Sequence, residues 1–356
     1  MTQFTQTPDL AWLYEPVAQV DTNARAAAEA RQAQLTKPPG SLGRLEQLAV
    51  DFAGWQGRSV PAIDRIGLAV FAADHGVAAQ GVSAFPQSVT AQMVANFAAG
   101  GAAVAVLARR AGADITVMNL GTVSATAHVP GVINHDLAPG TADFTEAPAM
   151  SQATLAEALA AGAHSLMPAL SLFVGGEMGI ANTTSAAAVY AALAGRDAAA
   201  VVGRGTGVND AGLAAKRAAV DRGLNRHAAA WAGQDEARAT LTILRCLGGL
   251  EIAALAGAYI AAAQRGIPSV VDGFIASVAA LAAVRINPGV ADWLIYGHRS
   301  AEAGHAPVLA DLNAHPLLDL DMRLGEGSGA MMAVPVIQNA LALHADMATF
   351  AEAGLA

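Results

Sequence analysis

The sequence predicts an α/β protein with a mainly parallel β-sheet. Six short runs of strand length are mostly apolar, and each ends directly in glycine or polar residues. Long alanine-rich stretches with helical spacing lie between these runs. Strands that are covered on both faces of a parallel sheet are nearly continuous apolar runs, and their alternation with helices is typical of the α/β class.

The predicted strands bring their terminal turns to one edge of the sheet. Ligands of open α/β sheets bind beyond the carboxyl ends of the strands, so we expect the six turns to converge on one site. The clearest predicted helices are residues 90–110, 185–194 and 250–263. The predicted strands are residues 66–73, 115–120, 170–174, 198–202, 269–271 and 293–296.

The two ends of the chain differ from this pattern. Up to about residue 60 the sequence is polar and helical in character, with an interruption at Lys37-Pro38-Pro39-Gly40-Ser41. From Ala330 onward it is helical again. We therefore expect a small helical domain built from residues 1–60 and 331–356, and a large α/β catalytic domain from residues 61–330.

Composition narrows the possible partners. Hydrophobic residues make up 54% of the 356 residues and charged residues only 14%, which favours burial of apolar surface against a second copy of the chain. The net charge of -9 and the absence of a lysine-arginine cluster argue against a nucleic-acid partner. Cys246 is the only cysteine, so an intrachain disulfide or a zinc cluster of several thiolates is excluded.

The sequence also indicates where the protein resides. The N-terminal residues lack a basic patch followed by an apolar stretch, so we expect no secretory signal. The uncharged run 158–176 is interrupted by Gly162 and Pro168, which favours a helix followed by a strand over a membrane span. We expect a cytoplasmic homodimer that does not bind membranes.

Two glycine-rich segments suit a phosphorylated ligand. Gly175–Thr184 follows a predicted strand and opens a helix that Asn182 or Thr183 could cap, and helix N-termini bind anions. Residues 203–207 follow another predicted strand and add Arg204, with Lys216 two to three helical turns later. Neither segment is a Walker loop or a GxGxxG fingerprint, and each alone is as consistent with a structural turn. Together they suggest a phosphate site.

Other segments carry candidate chemistry. Glu326 lies between Gly325 and Gly327, and a carboxylate that apolar walls shield from water gains a pKa suited to a general base. The alternative is a polar turn before a helix. The aromatic, methionine and amide groups of residues 83–97 suit a flat heteroaromatic ligand, although methionine and phenylalanine at helical spacing are more often core residues.

Seven segments, in order from Thr36 to Ala330, resemble those of the nicotinate-nucleotide:dimethylbenzimidazole phosphoribosyltransferases, the CobT type. They are Thr36-Lys37-Pro38-Pro39-Gly40-Ser41-Leu42-Gly43-Arg44-Leu45-Glu46, the stretch from Asp74-His75-Gly76-Val77 to Pro86-Gln87, Gly176-Glu177-Met178-Gly179-Ile180, Gly203-Arg204-Gly205-Thr206-Gly207, Asp272-Gly273-Phe274, Ser300-Ala301-Glu302, and Leu324-Gly325-Glu326-Gly327-Ser328-Gly329-Ala330.

The resemblance implies transfer of phosphoribose from nicotinate mononucleotide to 5,6-dimethylbenzimidazole. The products would be nicotinate and α-ribazole 5′-phosphate, a precursor of the lower ligand of cobalamin, with inversion at the anomeric carbon. It also implies a Rossmann-like six-stranded parallel sheet, a small helical domain from both chain ends and a homodimer. We expect no metal ion or other cofactor.

The resemblance further implies roles for individual residues. Glu326 would be the general base that deprotonates the attacking azole. Glu177 would be a second acid that contacts a ribose hydroxyl or supports positive charge at the anomeric carbon. The expected substrate-binding residues are Ser83, Phe85, Gln87, Gln92, Met93 and Leu324 for the base, Gly176, Gly203, Gly205 and Lys216 for the phosphate, Asp272 and Ser300 for the nucleotide, and Gly179, Arg204, Arg323 and Gly325 beside them.

The chain departs from the family pattern at two positions. Ala181 replaces a glycine in the loop after Met178, which is expected to tighten the approach of the phosphate. Asn119 replaces an aspartate at the end of a predicted strand, which puts in doubt any role for a charge there.

Three alternatives remain open at the level of sequence. The first is a related enzyme that uses another azole or a purine as acceptor. The second is a nucleotide-binding protein without catalysis, against which the presence of Glu326 argues. The third is a metal-dependent hydrolase that uses Asp74, His75, His298 and His305, although their spacing matches no metal motif. Full activity in a chelator would exclude the hydrolase.

Overall fold

The structure, a computed structural model of the chain, describes residues 9–205 and 207–355. The strands in these residues are β1 Ile66–Ala73, β2 Ala113–Gly121, β3 Val132–Asn134, β4 Leu172–Met178, β5 Ser269–Val271, β6 Leu294–Tyr296, β7 His298–Arg299 and β8 Leu318–Asp319. One sheet of six of them forms the centre of the molecule, in the order β3-β2-β1-β4-β5-β6, and every neighbouring pair is parallel. A separate pair of short parallel strands, β7 and β8, lies beyond the end of β6.

Helices cover both faces of the sheet and bury its central strands. Every residue of β1 is buried, as the apolar run predicted. The described helices are α1 Thr22–Gln34, α2 Arg44–Gln56, α3 Ser88–Ala98, α4 Ala103–Ala111, α5 Gln152–His164, α6 Asn182–Ala194, α7 Ala198–Val201, α8 Asp210–Trp231, α9 Glu236–Leu247, α10 Leu250–Gln264, α11 Phe274–Ile286, α12 His305–Asp311 and α13 Ser328–Asp346.

The α/β class, the parallel sheet and the number of its strands are confirmed, but one predicted strand was wrong. Residues 198–202 contain the short helix α7, because an alanine run favours helix and four apolar residues cannot be told from a strand by periodicity. The sixth strand is instead β3, at the edge of the sheet. Its three residues are only partly buried, so the sequence there carries no apolar run.

The predicted helix at residues 90–110 is two helices, α3 and α4, separated at Gly100 and Gly101. Gly100 has a left-handed φ of 77°, which ends the first helix. Among the described residues, Ser88–Ala111 is the one stretch that is apolar enough and long enough to cross a membrane, judged by length and composition alone. Each of the two helices is shorter than the about 20 residues that a membrane span requires.

Strand β4 is longer than predicted, and this places a functional side chain on rigid structure. The strand continues through Gly175 and Gly176, which pair with Ala69 and Val70 of β1. Glu177 therefore projects from the sheet itself rather than from a glycine loop. The strand order reverses between β1 and β4, the position at which ligands bind in this architecture.

The two chain ends are in contact with each other. Helices α1, α2 and α13 pack together, and the Arg31 guanidinium donates to the carbonyls of His344 (2.8 Å) and Ala345 (2.7 Å). Helix α13 also contributes Met331 and Val334 to the core beneath the sheet. This helix therefore connects the end of the sheet to the N-terminal helices, and the division into two domains stays a prediction.

Candidate active site

A cleft of about 780 Å³, counted out to its open mouth, lies beyond the carboxyl ends of β4 and β5. Its walls come from segments that are far apart in sequence. The turns after β4 and β5 line the cleft, but the turns after β1 and β2, at residues 74–76 and 121–122, do not, so only some of the six predicted turns meet there. Of the expected site residues, the cleft is lined by Ser83, Glu177, Gly179, Gly205, Lys216, Asp272, Ser300, Arg323, Leu324, Gly325 and Glu326.

The base-pocket residues expected from helix α3 and the loop before it lie outside this cleft. Phe85 is 51% exposed, and Gln92 is exposed as well. The Gln87 amide donates to the carbonyl of His75 at 3.1 Å. Met93 packs against the core formed with the sheet. Only Ser83, from the same stretch, borders the cleft.

Three residues expected at the phosphate have other contacts. Arg204 pairs with the Asp210 carboxylate at 2.6 Å on the surface, so its guanidinium does not line the cleft. A Cβ atom at Gly203 would lie 2.7 Å from Glu302 Oε2, and a Cβ atom at Gly176 would overlap the main-chain carbonyl of Glu326. Both glycines serve close packing, and the loop around Gly203 follows helix α7 rather than a strand.

Glu326 is a buried carboxyl group on a constrained backbone. Its φ of 67° is left-handed, as are those of Gly325 (84°) and Gly327 (88°). This conformation costs a residue with a side chain about 1–2 kcal/mol. Burial raises the pKa of Glu326 to about 7, the charge of Asp272 acts in the same direction, and the N–H of Val104 in helix α4 opposes the shift. Oε2 has no hydrogen-bond partner.

Glu177 is buried more deeply. The Asn182 amide donates to its Oε2, so Asn182, the first residue of α6, does not cap that helix as expected. Burial, followed by the charges of Glu251 and Asp272, raises the pKa of Glu177 well above its usual range. The protonated, neutral acid is therefore favoured. Its Oε1 lies against Gly325, where a Cβ atom would be 2.6 Å away.

One end of the cleft is cationic. Lys216 is 1% exposed, and its Nζ donates to Thr183 Oγ1 at 2.9 Å. Burial lowers the pKa of Lys216 to about 8, while the Glu302 charge opposes this shift. The Arg323 guanidinium donates to the carbonyl of Gly205 at 3.3 Å. With the N-terminus of the 13-residue helix α6, these groups form a site suited to an anion.

The four side chains considered for a metal do not converge. Among the described residues, no group of three or more histidine, cysteine or acidic side chains is placed to hold a metal ion. Asp74 accepts from Thr90 (2.6 Å) and Val123 (2.9 Å), His75 pairs with Glu251 (2.7 Å), His298 faces Asp272 (3.6 Å), and His305 bonds to Ser277 (3.0 Å).

Comparison with known proteins identifies the family. A family profile described as "Phosphoribosyltransferase" (DBI_PRT) matches residues 17–355. A nicotinate-nucleotide--dimethylbenzimidazole phosphoribosyltransferase from Xanthomonas oryzae is 57% identical over 348 residues, which cover 97% of this chain and 98% of the relative. The chain belongs to the CobT-type phosphoribosyltransferase family. The relative of the same name from Pseudomonas aeruginosa is 53% identical over 350 residues, covering 97% of this chain and 98% of the relative.

Solved structures agree with this CobT-type fold. A crystal structure of CobT from Thermus thermophilus has a TM-score of 0.87 and 43% identity, and covers 94% of this chain and 99% of its own. A second crystal structure of the enzyme from that organism, with the same coverage, gives a TM-score of 0.86 at 42% identity. The Rossmann-like sheet that the resemblance implied is thereby confirmed.

Both departures from the CobT-type pattern have a structural account. Ala181 precedes α6 with a left-handed φ of 77°, a conformation that favours glycine, and it borders the cleft. The Asn119 amide donates to Thr126 Oγ1 (2.7 Å) and Thr122 Oγ1 (3.2 Å), while its Oδ1 accepts from the N–H of Gly121 (2.9 Å). A carboxylate could not donate these bonds, so the asparagine here fixes the following loop.

Sequence reasoning did not assign several residues of this CobT-type cleft. Val82, Phe274 and Ile275 form an apolar wall, and the sequence predicted no role for them. The imidazole of His305 accepts the N–H of Ser300 at 2.8 Å through Nδ1. Burial, then the charge of His298, lowers the pKa of His305 to about 3, so the ring is neutral and positions Ser300.

Proposed function

We propose that this protein transfers the phosphoribosyl group of nicotinate mononucleotide to 5,6-dimethylbenzimidazole. Nicotinate and α-ribazole 5′-phosphate would be the products, which serves assembly of the nucleotide loop of cobalamin. The observation that carries the proposal is a pair of buried carboxyl groups, Glu326 and Glu177, in one cleft with a cationic end. The names of relatives that are 53–57% identical over nearly the whole chain support it.

Glu326 is the general base in this proposal. One azole nitrogen attacks the anomeric carbon while the other loses a proton, so a proton acceptor is required. A base whose pKa lies near the working pH combines a large ionised fraction with adequate basicity. The pKa of Glu326, raised by burial to about 7, meets this requirement. Its unpartnered Oε2 is available to take the proton.

Glu177 acts as a neutral hydrogen-bond donor. Two carboxyl groups whose environments separate their pKa values commonly divide the acid and base roles. Since Oε2 of Glu177 accepts from Asn182, its proton belongs on Oε1. A neutral acid cannot counter positive charge as a carboxylate does. Of the two roles expected from the sequence, we therefore favour donation to a ribose hydroxyl.

The phosphate of nicotinate mononucleotide binds at the cationic end of the cleft, with Lys216, Arg323 and the start of α6. The ribose then lies between this end and the two carboxyl groups. We propose that nicotinate leaves from one face of the ribose as the azole arrives at the other, which inverts the configuration from β to α. The apolar wall formed by Val82, Phe274 and Ile275 suits an aromatic ring.

We also propose that the protein works as a cytoplasmic homodimer. Several large apolar side chains outside the cleft are exposed on the isolated chain, among them Val106, Ile115 and Ile133. Burial of such a surface against a second copy is the usual arrangement for apolar chains of this kind. Sedimentation equilibrium measures the assembly directly, and a monomer at micromolar concentration would refute this part of the proposal.

The central experiment incubates the purified protein with nicotinate mononucleotide and dimethylbenzimidazole. We expect α-ribazole 5′-phosphate and nicotinate in equal amounts, identified by chromatography and mass. The proposed function would be refuted if protein shown by circular dichroism to be folded formed no product at any pH tested. Product formed only with another azole or a purine would retain the reaction class and correct the acceptor.

The dependence of kcat/KM on pH should be bell-shaped. Glu326 must be ionised to accept a proton, so the rate rises with pH through about 7, the pKa that burial gives it. Lys216 must be charged to bind phosphate, so the rate falls as pH rises through about 8, the pKa to which burial lowers it. Initial rates in buffers of constant ionic strength test both limbs. A profile that is flat through both values would contradict the assignments.

Replacement of Lys216 by methionine should weaken binding of the nucleotide more than it slows turnover. A charge-assisted hydrogen bond contributes about 1.5–3 kcal/mol, so KM for nicotinate mononucleotide should rise about 10- to 100-fold. Arg204→Met is the matched control, since that guanidinium pairs with Asp210 outside the cleft. We expect its KM to stay within about twofold. Equal increases of KM in both variants would show that Arg204 also contributes to phosphate binding.

A further inference from the structure

The loop that carries Glu326 is held at the end of strand β5 by one side chain. Asp272 is 2% exposed and accepts two main-chain N–H groups, from Gly327 to Oδ2 at 3.1 Å and from Ala330 to Oδ1 at 2.8 Å. These residues begin helix α13, whose N-cap is a glycine without a capping side chain. The first N–H groups of a helix lack partners within the helix. Asp272 therefore supplies, from another element, the cap that α13 lacks.

His298 lies beside the carboxylate of Asp272. Its Nε2 lies 3.6 Å from Asp272 Oδ1, and both side chains are 2% exposed. The imidazole ring packs against Gly329, where any Cβ atom would overlap it. A buried carboxylate is stable only when donors satisfy its oxygens. The two main-chain N–H groups take up about half of the acceptor capacity of the Asp272 carboxylate, and both of them belong to the segment that follows Glu326.

Two strand ends clamp this loop from either side. A Cβ atom at Gly176 would overlap the Glu326 carbonyl, and a Cβ atom at Gly297 would lie 2.7 Å from Ala330 Cα. The segment from Glu326 to Ala330 thus lies between β4 and the residue after β6, and Asp272, directly after β5, fixes the start of the helix that follows. The position of Glu326 depends on this arrangement of its backbone, because its Oε2 makes no hydrogen bond and its carboxylate is otherwise approached by the N–H of Val104 in α4.

We propose that Asp272 is the positioning residue for Glu326, which holds the base in place through the main-chain N–H groups of Gly327 and Ala330 rather than by contacting the nucleotide. This inference rests on the proposed function and corrects the role expected for Asp272 from the sequence. The charge of Asp272 raises the pKa of Glu326 after the larger effect of burial. The other ionisable groups facing this pair are Glu177 from β4, Tyr259 from α10 and His298 from β7.

The test is Asp272→Asn, which keeps the shape and removes the charge. We expect kcat to fall about 10- to 100-fold because the base shifts within the cleft, while KM for nicotinate mononucleotide stays within about threefold. The acid limb of kcat/KM should move to lower pH, because loss of a neighbouring negative charge makes Glu326 easier to deprotonate. A raised KM with unchanged kcat and acid limb would show that Asp272 contacts the nucleotide and overturn the proposal.

Asp74→Asn is the matched control. Asp74 is also a buried aspartate at a strand end that accepts two donors, Thr90 and the N–H of Val123, but it lies outside the cleft. A general loss of stability would appear in both variants. Only Asp272→Asn should shift the acid limb of kcat/KM. A shift of equal size in Asp74→Asn would show that the effect is not specific to Asp272 and would overturn its role as the positioning residue.

A second readout needs no substrate and separates this inference from the proposed function. In the wild-type protein, amide hydrogen exchange at Gly327 and Ala330 should be slow, since Asp272 binds both N–H groups. Asp272→Asn should speed exchange at both sites at least tenfold. Rapid exchange in the wild type would overturn the proposal even where the variant does not fold. Protected amides in a protein that makes no α-ribazole phosphate would instead refute the function alone.

Discussion

Glu326→Gln is expected to lower kcat by two to four orders of magnitude with substrate binding largely kept. General-base catalysis contributes about 10²- to 10⁴-fold, and an amide has the shape of the carboxylate without its basicity. The phosphate and ribose contacts lie on other elements, so KM for nicotinate mononucleotide should change little. Single-turnover measurements of α-ribazole phosphate formation, with titration calorimetry for binding, separate the two effects.

The same substitution at Glu177 provides the matched control. Burial and neighbouring carboxylates favour the neutral form of Glu177, and glutamine is also a neutral side chain with a donor. We expect Glu177→Gln to lose no more than about tenfold in kcat, and Glu177→Ala to lose more because Asn182 then lacks its acceptor. Near-normal turnover by Glu326→Gln would show that another group takes the proton. Equal losses in both glutamine variants would refute the division of roles.

The acid limb of the pH profile adds an independent check on Glu326. It should be absent from Glu326→Gln, since the residual rate no longer depends on ionising that residue. It should persist in Glu177→Gln. An acid limb that survives unchanged in Glu326→Gln would assign the titration to a different group.

Most of the sheet could be predicted from sequence because burial on both faces leaves a direct signal. Strand β1 is an uninterrupted apolar run, and all its residues are buried. The signal failed where burial was incomplete or the run was too short. Edge strand β3 is partly exposed, and α7 is a four-residue alanine-rich run that reads equally as strand.

The two carboxyl groups of the candidate site could be proposed from sequence because their glycine neighbours stand out. The sequence could not show why glycine is required at those positions. Gly176 was expected at a phosphate, yet it makes room for the main chain of Glu326. A glycine that admits a ligand and one that admits a distant segment look alike in sequence, and only the assembled fold separates them.

The orientation of helix α3 could not be predicted from the sequence either. Residues 83–93 have the composition of an aromatic pocket, but α3 buries Thr90, Val94 and Phe97. Gln92 consequently faces outward, and Met93 packs with the core. Composition shows that a helix is amphipathic, but which face meets a cleft depends on the elements around it.

Gly176→Ala should abolish most activity although the residue does not line the cleft. The added Cβ would overlap the main-chain carbonyl of Glu326, which cannot rotate away as a side chain would. The loop must shift, and a displacement of about 1 Å in a catalytic group costs about 100-fold in rate. Overpacking should also lower the free energy of unfolding by about 1–3 kcal/mol. Turnover assays and denaturant unfolding measure the two effects.

Gly67→Ala separates the loss of stability from the loss of the base. Gly67 lies near the start of β1, at the opposite end of the sheet from the cleft, and the atoms nearest to its added Cβ belong to the Leu170 side chain (2.8 Å) and the Met167 methyl group (3.1 Å). The ends of these two side chains can move, but the site is buried. We therefore expect a loss in the free energy of unfolding that is similar to or smaller than that of Gly176→Ala, with kcat within about twofold of the wild-type value. Full kcat in Gly176→Ala would show that contact between β4 and the Glu326 loop does not position the base. A loss of kcat in Gly67→Ala as large as that in Gly176→Ala would show the same.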